Sequence, residues 1–144
     1  MNIESLQLLY TNVQKRRGLF MIKQIGQVMI YVNDQDAGVK FWTEKIGFVV
    51  VDEREEKGIR TIEIAPTKDA QTTFVLHNKE IIAKMQPELN LGTPSIMFYA
   101  DHIEDLYQDF QEKGVIVGDL IMMPMGRVFN FADHEDNYFA LVEK

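Results

Sequence analysis

The feature that most constrains this chain is that it repeats itself. Sliding Gln27 onto Ser95, an offset of 68 residues, superimposes Met29 on Met97, Tyr31 on Tyr99, Glu44 on Glu112 and Lys45 on Lys113, and brings Trp42 onto Phe110. The order of local signals recurs as well. Gln27-Val28-Met29-Ile30-Tyr31-Val32 alternates as a strand, Asn33 and Asp34 can cap a helix through Val39, Phe41 and Trp42 to Lys45, and Gly47 closes it. Ser95 to Ala100 alternates in the same way. Asp101-His102-Ile103-Glu104 then has the form of a capping box with Asp101 as the acceptor, and Gly114 closes the second helix. A duplicated unit of this kind limits the chain to two copies of one supersecondary module.

Three strand-like pieces follow each helix: residues 48–53, 60–65 and 72–77 in the first copy, and 115–117, 128–131 and 138–142 in the second. The expected organisation is a first βαβββ module over 21–78, a polar connector over 79–94 containing Pro87, Pro94 and the turn-rich Asn90-Leu91-Gly92-Thr93, and a second module over 95–144. Ile81, Ile82 and Met85 can form a helical turn within the connector. At 144 residues the chain suits one globular domain, or two pseudo-repeats sharing one sheet.

Residues 1–20 differ in character, with Glu4 set against Lys15, Arg16 and Arg17. Arg16-Arg17 can be written with purine-rich codons a few positions before Met21, which gives the expectation that translation starts at Met21. The alternative is a helical N-terminal extension, since Ile3, Leu6, Leu9, Tyr10 and Val13 can form an amphipathic stripe. This segment has no continuous apolar core of the secretory kind, so a cytoplasmic address is expected.

Composition closes several functional classes. With no cysteine, the chain has no disulfide, thiolate nucleophile or cysteine-held zinc. Its longest apolar runs are strand-sized, far short of the roughly 20 residues that span a bilayer. A formal charge of −7 opposes nonspecific attraction to nucleic acid or anionic lipid, so neither is an expected partner. No glycine-rich nucleotide loop and no Ser-His-Asp arrangement is present.

Strand alternation sorts the remaining candidates by face. Val28, Ile30 and Val32 should lie beneath the first helix, and Ile96, Phe98 and Ala100 beneath the second. Gln27, Met29, Tyr31, Ser95, Met97 and Tyr99 then share the opposite face, which a curved sheet wrapping a cavity would use.

Taken together, the segments Gln27 to Asp34, Phe41-Trp42-Thr43-Glu44-Lys45-Ile46-Gly47-Phe48 and Pro124-Met125-Gly126-Arg127-Val128-Phe129-Asn130-Phe131-Ala132-Asp133 resemble the vicinal oxygen chelate superfamily of glyoxalases, bleomycin-resistance proteins and extradiol dioxygenases. The resemblance covers about Ile22 to Glu143. It implies an α+β fold in which paired βαβββ modules form an open, eight-stranded, barrel-like groove, commonly at a homodimer interface. It also implies four metal-ligand positions, on the first and last strand of each module. Here they fall on Gln27, Val75, Ser95 and Ala140. Valine and alanine offer no donor to a divalent ion, which needs converging O or N atoms at about 2.0 to 2.6 Å. No metal and no cofactor is therefore expected.

Other residues keep two readings. Gln27 is either a surviving ligand or a groove-facing hydrogen-bonding group. His77 either touches a ligand or is a solvated strand-end histidine, while His102 and His134 are expected to be exposed. Glu63 either faces the groove as a general base or cation partner, or is solvated. Met29, Met97, Tyr31 and Tyr99 either line a recognition groove or form a second core or dimer contact. Trp42 reads as a helix-packing anchor. Arg127 binds a ligand carboxylate or pairs with a local acid. The expected groove set is completed by Val75, Ser95, Asn130 and Ala140. The expected function is binding or sequestration of a small organic molecule. The rivals are a lyase, isomerase or dioxygenase with a relocated site, for which Gln27, Glu63 and His77 are the residues to inspect, and a scaffold or regulator.

Overall fold

The computed structural model describes residues 2–15 and 20–144. The codon argument rests on Arg16 and Arg17, which lie outside the described residues. The first helix, α1 (Ile3–Lys15), carries Ile3, Leu6, Leu9, Tyr10 and Val13, all exposed.

The rest is two sheets built to one plan. In the first half the elements are β1 (Gln27–Val32), α2 (Gln35–Lys40) running on into a π-helical stretch (Phe41–Ile46), β2 (Val49–Glu56), β3 (Ile59–Ala65) and β4 (Thr73–Asn78). A short helix, α3 (Lys79–Met85), follows; its N-terminus is capped by the Asn78 side chain, which accepts from the Ile81 amide. The second half has β5 (Met97–Ala100), α4 (Ile103–Glu112), β6 (Ile121–Met123), β7 (Gly126–Ala132) and β8 (Tyr138–Glu143). Strand orders are β1-β4-β3-β2 and β5-β8-β7-β6, with β1 parallel to β4 and β5 parallel to β8. The shared order is what a duplicated βαβββ unit produces.

The α+β class, the paired modules and the open, unclosed arrangement agree with the sequence, and the strands form two four-stranded sheets rather than one shared sheet. The sixth strand also differs from expectation. Val115 to Val117 forms only a ragged edge, in which Ile116 O accepts from Ala132 N, Gly118 N donates to Asn130 O, and Val117 makes one isolated bridge to Phe131. The regular ladder falls instead on the exposed Ile121–Met123.

Local chemistry explains the helix ends. Asp34 accepts from Ala37 N at 3.0 Å, and Gly47 stops the π-helical continuation of α2 in a left-handed conformation at φ 95°, which a residue without Cβ adopts without strain. The second helix departs from the expected capping box. His102, itself left-handed at φ 51°, occupies the cap position, and no side chain caps the helix there.

The helix-facing surfaces of both sheets meet in one core. The Trp42 indole is fully buried and packs against Phe41, Phe48, Phe74, Phe98, Phe131 and Phe139, with ring centroids 4.9 to 6.2 Å away. Phe74 and Phe48 come from the first half and the other three, after Phe41, from the second, so aromatic packing joins the copies.

A polar clasp joins them a second time. The turn between β7 and β8 projects Glu135 into the β1–α2 loop, where its carboxylate accepts from Asn33 N at 2.8 and 3.0 Å, Asp34 N at 3.1 Å and Asn33 Nδ2 at 3.0 Å. Asp133 holds the turn's shape by accepting from Glu135 N and Asn137 N, each at 2.9 Å. His134 is mostly buried here, not exposed as expected, with its ring against Gly38 and Phe41. Glu135→Ala strands two backbone donors and should cost about 2 kcal/mol in urea denaturation, given the worth of hydrogen bonds to charged groups. Glu135→Gln should recover part of that loss, and an unchanged midpoint for the alanine variant would show that the clasp contributes nothing.

Candidate functional site

The open face of the first sheet holds a cavity of about 290 Å³. Alternation puts it there: Ile30 and Val32 on β1, Ile62 and Ile64 on β3, and Phe74 and Leu76 on β4 all point into the core, so their neighbours Gln27, Met29, Thr61, Glu63, Val75 and His77 line the other side. Strand β2 adds Asp52 and Arg54. Register aligns the set across the sheet, with Met29 opposite Val75, Glu63 opposite Val75 and Gln27 opposite Thr73.

Val75, on the central strand, is 6% exposed and forms the apolar floor with Met29. Around it the polar groups are tied together. Glu63 Oε2 accepts from Thr73 Oγ1 at 2.6 Å and from Gln27 Nε2 at 3.2 Å. Across β2, Arg54 Nε donates to Asp52 Oδ2 at 2.6 Å. That contact raises the Arg54 pKa and turns the guanidinium toward its own strand.

His77 stacks on Tyr31, with centroids 5.6 Å apart, and its Nε2 lies 3.2 Å from the Met29 sulfur. A thioether only accepts, so Nε2 carries the hydrogen and Nδ1, buried without a partner, is the bare nitrogen. Burial pushes the imidazole below its ordinary value of 6.5. The unfolded chain therefore takes up a proton that the folded chain refuses, and stability falls as pH drops through 6.5 and levels off below the folded pKa. Urea midpoints at about pH 7.5 and about pH 5.5 should separate more in the wild-type protein than in His77→Gln. Equal separations would place this acid sensitivity elsewhere.

The structure gathers Gln27, Met29, Glu63, Val75 and His77 at one cavity; Tyr31 does not line it but stacks on His77. It does not bring the second-half candidates there. Met97, Tyr99 and Ala140 sit on β5 and β8, Asn130 on β7 and Ser95 just before β5, none of them lining this cavity. Met97 and Tyr99 are 45% and 70% exposed. Arg127 takes the local-acid alternative, donating to both Glu143 oxygens at 2.7 and 2.8 Å and also to Glu104. The guanidinium correspondingly holds the Glu143 carboxyl below its ordinary range.

Asp52, Arg54, Thr61 and Thr73 are site residues that the sequence reading does not single out. Thr61 shares the face of Glu63 by simple alternation, but β2 shifts register between Val50 and Asp52, which hides the facing of Asp52 and Arg54.

The fold agrees with comparisons to known proteins. The family model of the glyoxalase/bleomycin resistance protein/dioxygenase superfamily matches residues 24–141, and the chain belongs to that superfamily. Among individual relatives, YetH of Bacillus subtilis is 36% identical over 125 residues, spanning 85% of this chain and 100% of that protein. Among solved structures, TnmS3, an antibiotic binding protein from Streptomyces sp. CB03234, superimposes with a TM-score of 0.74 at 25% identity over 86% of this chain and 98% of its own. A superfamily member from Sphaerobacter thermophilus gives 0.73 at 26% identity, over 87% and 100%. Among the described residues no helix is long and apolar enough to cross a membrane.

Proposed function

We propose that this chain binds or sequesters a small organic molecule over the open face of its first sheet, without the metal usual in the family, as a cytoplasmic homodimer. The observation that carries the reading is the cavity itself, where an apolar floor of Met29 and Val75 is ringed by the convergent polar groups Gln27, Glu63 and His77. Small-molecule sites combine those two elements. The antibiotic-binding role of TnmS3 supports it from a related fold.

The residues at the family's ligand positions do not suit a divalent ion. Val75 and Ala140 have no donor atom, the Ser95 hydroxyl is a weak one, and the Gln27 amide presents its nitrogen to Glu63. Among the described residues no group of three or more His, Asp or Glu side chains could hold a metal.

What each sheet leaves open supports the homodimer reading. The cavity draws its walls from the first sheet alone, while the second sheet exposes Met97, Tyr99, Met122 and Tyr138. A partner's second sheet laid over the first would bury that apolar surface and complete the groove with Met97, Tyr99, Ser95, Asn130 and Ala140. Sedimentation at micromolar concentration should give a dimer, and a monomer would count against the shared groove. A thermal-shift screen of organic compounds, run with and without divalent metals, tests the binding itself. Organic hits that need no metal support the reading; shifts that appear only with metal, or turnover that requires it, oppose it.

A further inference from the structure

Hydrogen-bond accounting in the cavity narrows the chemistry of the molecule it would hold. A carboxylate only accepts, so the two groups that reach Glu63 must both be donating: the Thr73 hydroxyl, and the Gln27 amide through its nitrogen. The orientation of that amide is therefore fixed by its partner, and its oxygen is turned away from Glu63 as a free acceptor. Both donors go to Oε2, and Glu63 Oε1 has no hydrogen bond among the described residues.

Charge accounting points the same way. The cavity contains two carboxylates, Asp52 and Glu63, and one guanidinium, Arg54. Arg54 forms its ion pair with Asp52 at 2.6 Å and feels Glu63 only as a weaker, longer-range attraction, and among the described residues Glu63 makes no ion pair. One negative charge is thus left over beside a free amide oxygen. The remaining ring, His77, is neutral and has its one N–H turned to the Met29 sulfur, so it adds no donor. The apolar part of the surface, Val75 with Met29, lies beside this acceptor set.

We infer that the molecule bound here carries a protonated amine or amidine on an apolar body, its N–H groups shared between Glu63 Oε1 and Gln27 Oε1 and its body laid on Val75 and Met29. This rests on the small-molecule reading above and specifies its ligand. An anion would be repelled by Glu63 and could turn only to the Arg54 guanidinium, already paired with Asp52, and the Thr61 hydroxyl, whereas a neutral alcohol could satisfy one of the two oxygens but leave the charge unpaired. A fixed charged partner in a half-enclosed site also discriminates by repulsion, so carboxylates of the same shape should be rejected.

The test uses three probes of one shape and different charge: benzylammonium, benzyl alcohol and benzoate, titrated into the full-length protein and followed by backbone amide chemical shifts. Benzylammonium should move the signals of Gln27, Glu63 and Val75 saturably, benzyl alcohol more weakly, and benzoate not at all. Glu63→Gln keeps an oxygen for Thr73 and Gln27 while removing the charge, and should weaken benzylammonium on the order of tenfold, the worth of one charge-assisted hydrogen bond. Gln27→Lys, at an exposed position, places a tethered ammonium beside Glu63 and should abolish binding independently of the first variant. Benzoate or benzyl alcohol binding as tightly as benzylammonium overturns the inference, as does unchanged affinity in Glu63→Gln. Silence from all three probes overturns it too. In that case hits in the organic library retire the cation inference alone, whereas silence in the library as well retires the small-molecule reading.

Discussion

Trp42→Ala should destabilise the protein by about 3 to 5 kcal/mol, the range for emptying a fully buried aromatic site. The indole is 0% exposed and touches aromatic rings from both halves, so its loss opens a cavity where the copies meet rather than inside one of them. Backbone on both sides is held by its own sheet, which limits collapse into the space. Trp42→Phe is the informative companion. The indole Nε1 is buried with no hydrogen-bond partner, so phenylalanine loses packing area and also removes an unsatisfied donor. Its cost should be well under half that of the alanine variant. Equilibrium urea unfolding of the three proteins checks this, and equal losses for Phe and Ala would mean that refilling the site with a ring recovers nothing, against the packing origin of the loss.

The second large effect is expected at Phe98, with its neighbour as the control. Phe98 packs against Trp42, Phe48, Phe74, Phe131 and Phe139, with centroids 5.7 to 6.4 Å away, yet it is only half-buried. Phe98→Ala should therefore fall at the low end of the aromatic range, about 3 kcal/mol. Tyr99, one residue on, is 70% exposed, and its ring lies under the Lys144 ammonium, 4.3 Å from the centroid. At concentrations low enough to keep the chain monomeric, Tyr99→Ala should change stability by no more than about 0.5 kcal/mol, as for most surface substitutions, and the loss should grow with protein concentration as the proposed dimer covers the ring. Comparable losses at the two positions would mean that Tyr99 is covered by something in solution, as a dimer would cover it.

That pair also shows why so much of the fold could be read from the chain. In β1 and β5 each side chain reports its face by parity, so Ile30 and Phe98 were placeable in the core and Met29 and Tyr99 outside it without any tertiary information. The repeat then carried the assignment from one half to the other. Where parity was absent, the reading failed. Val115 to Val117 is β-branched and follows a helix-closing glycine, so it has every local mark of a strand; the chain instead pairs raggedly there and places its ladder on Ile121–Met123. The capping box at Asp101 failed because His102 turns left-handed before the helix begins.

Long-range polar contacts were the least legible. Nothing within a few residues of Glu135 predicts that it will accept from Asn33 and Asp34, about a hundred positions earlier. The same applies to Thr73 and Gln27 converging on Glu63, a constellation that exists only once β1, β4 and β3 are neighbours. Gln27, Glu63 and His77 could be listed as candidates individually. Their grouping, and the separation of Ser95, Met97, Tyr99, Asn130 and Ala140 onto another sheet, required the topology.

Organic-ligand binding that needs no metal can be measured by titrating the strongest hit of the library screen into metal-stripped protein by calorimetry, in the presence of a chelator and again with manganese, nickel or zinc restored. Saturable heat should persist in chelator, with an affinity unchanged by any of the three ions. Heat that vanishes in chelator and returns with one ion would show instead that binding requires a metal.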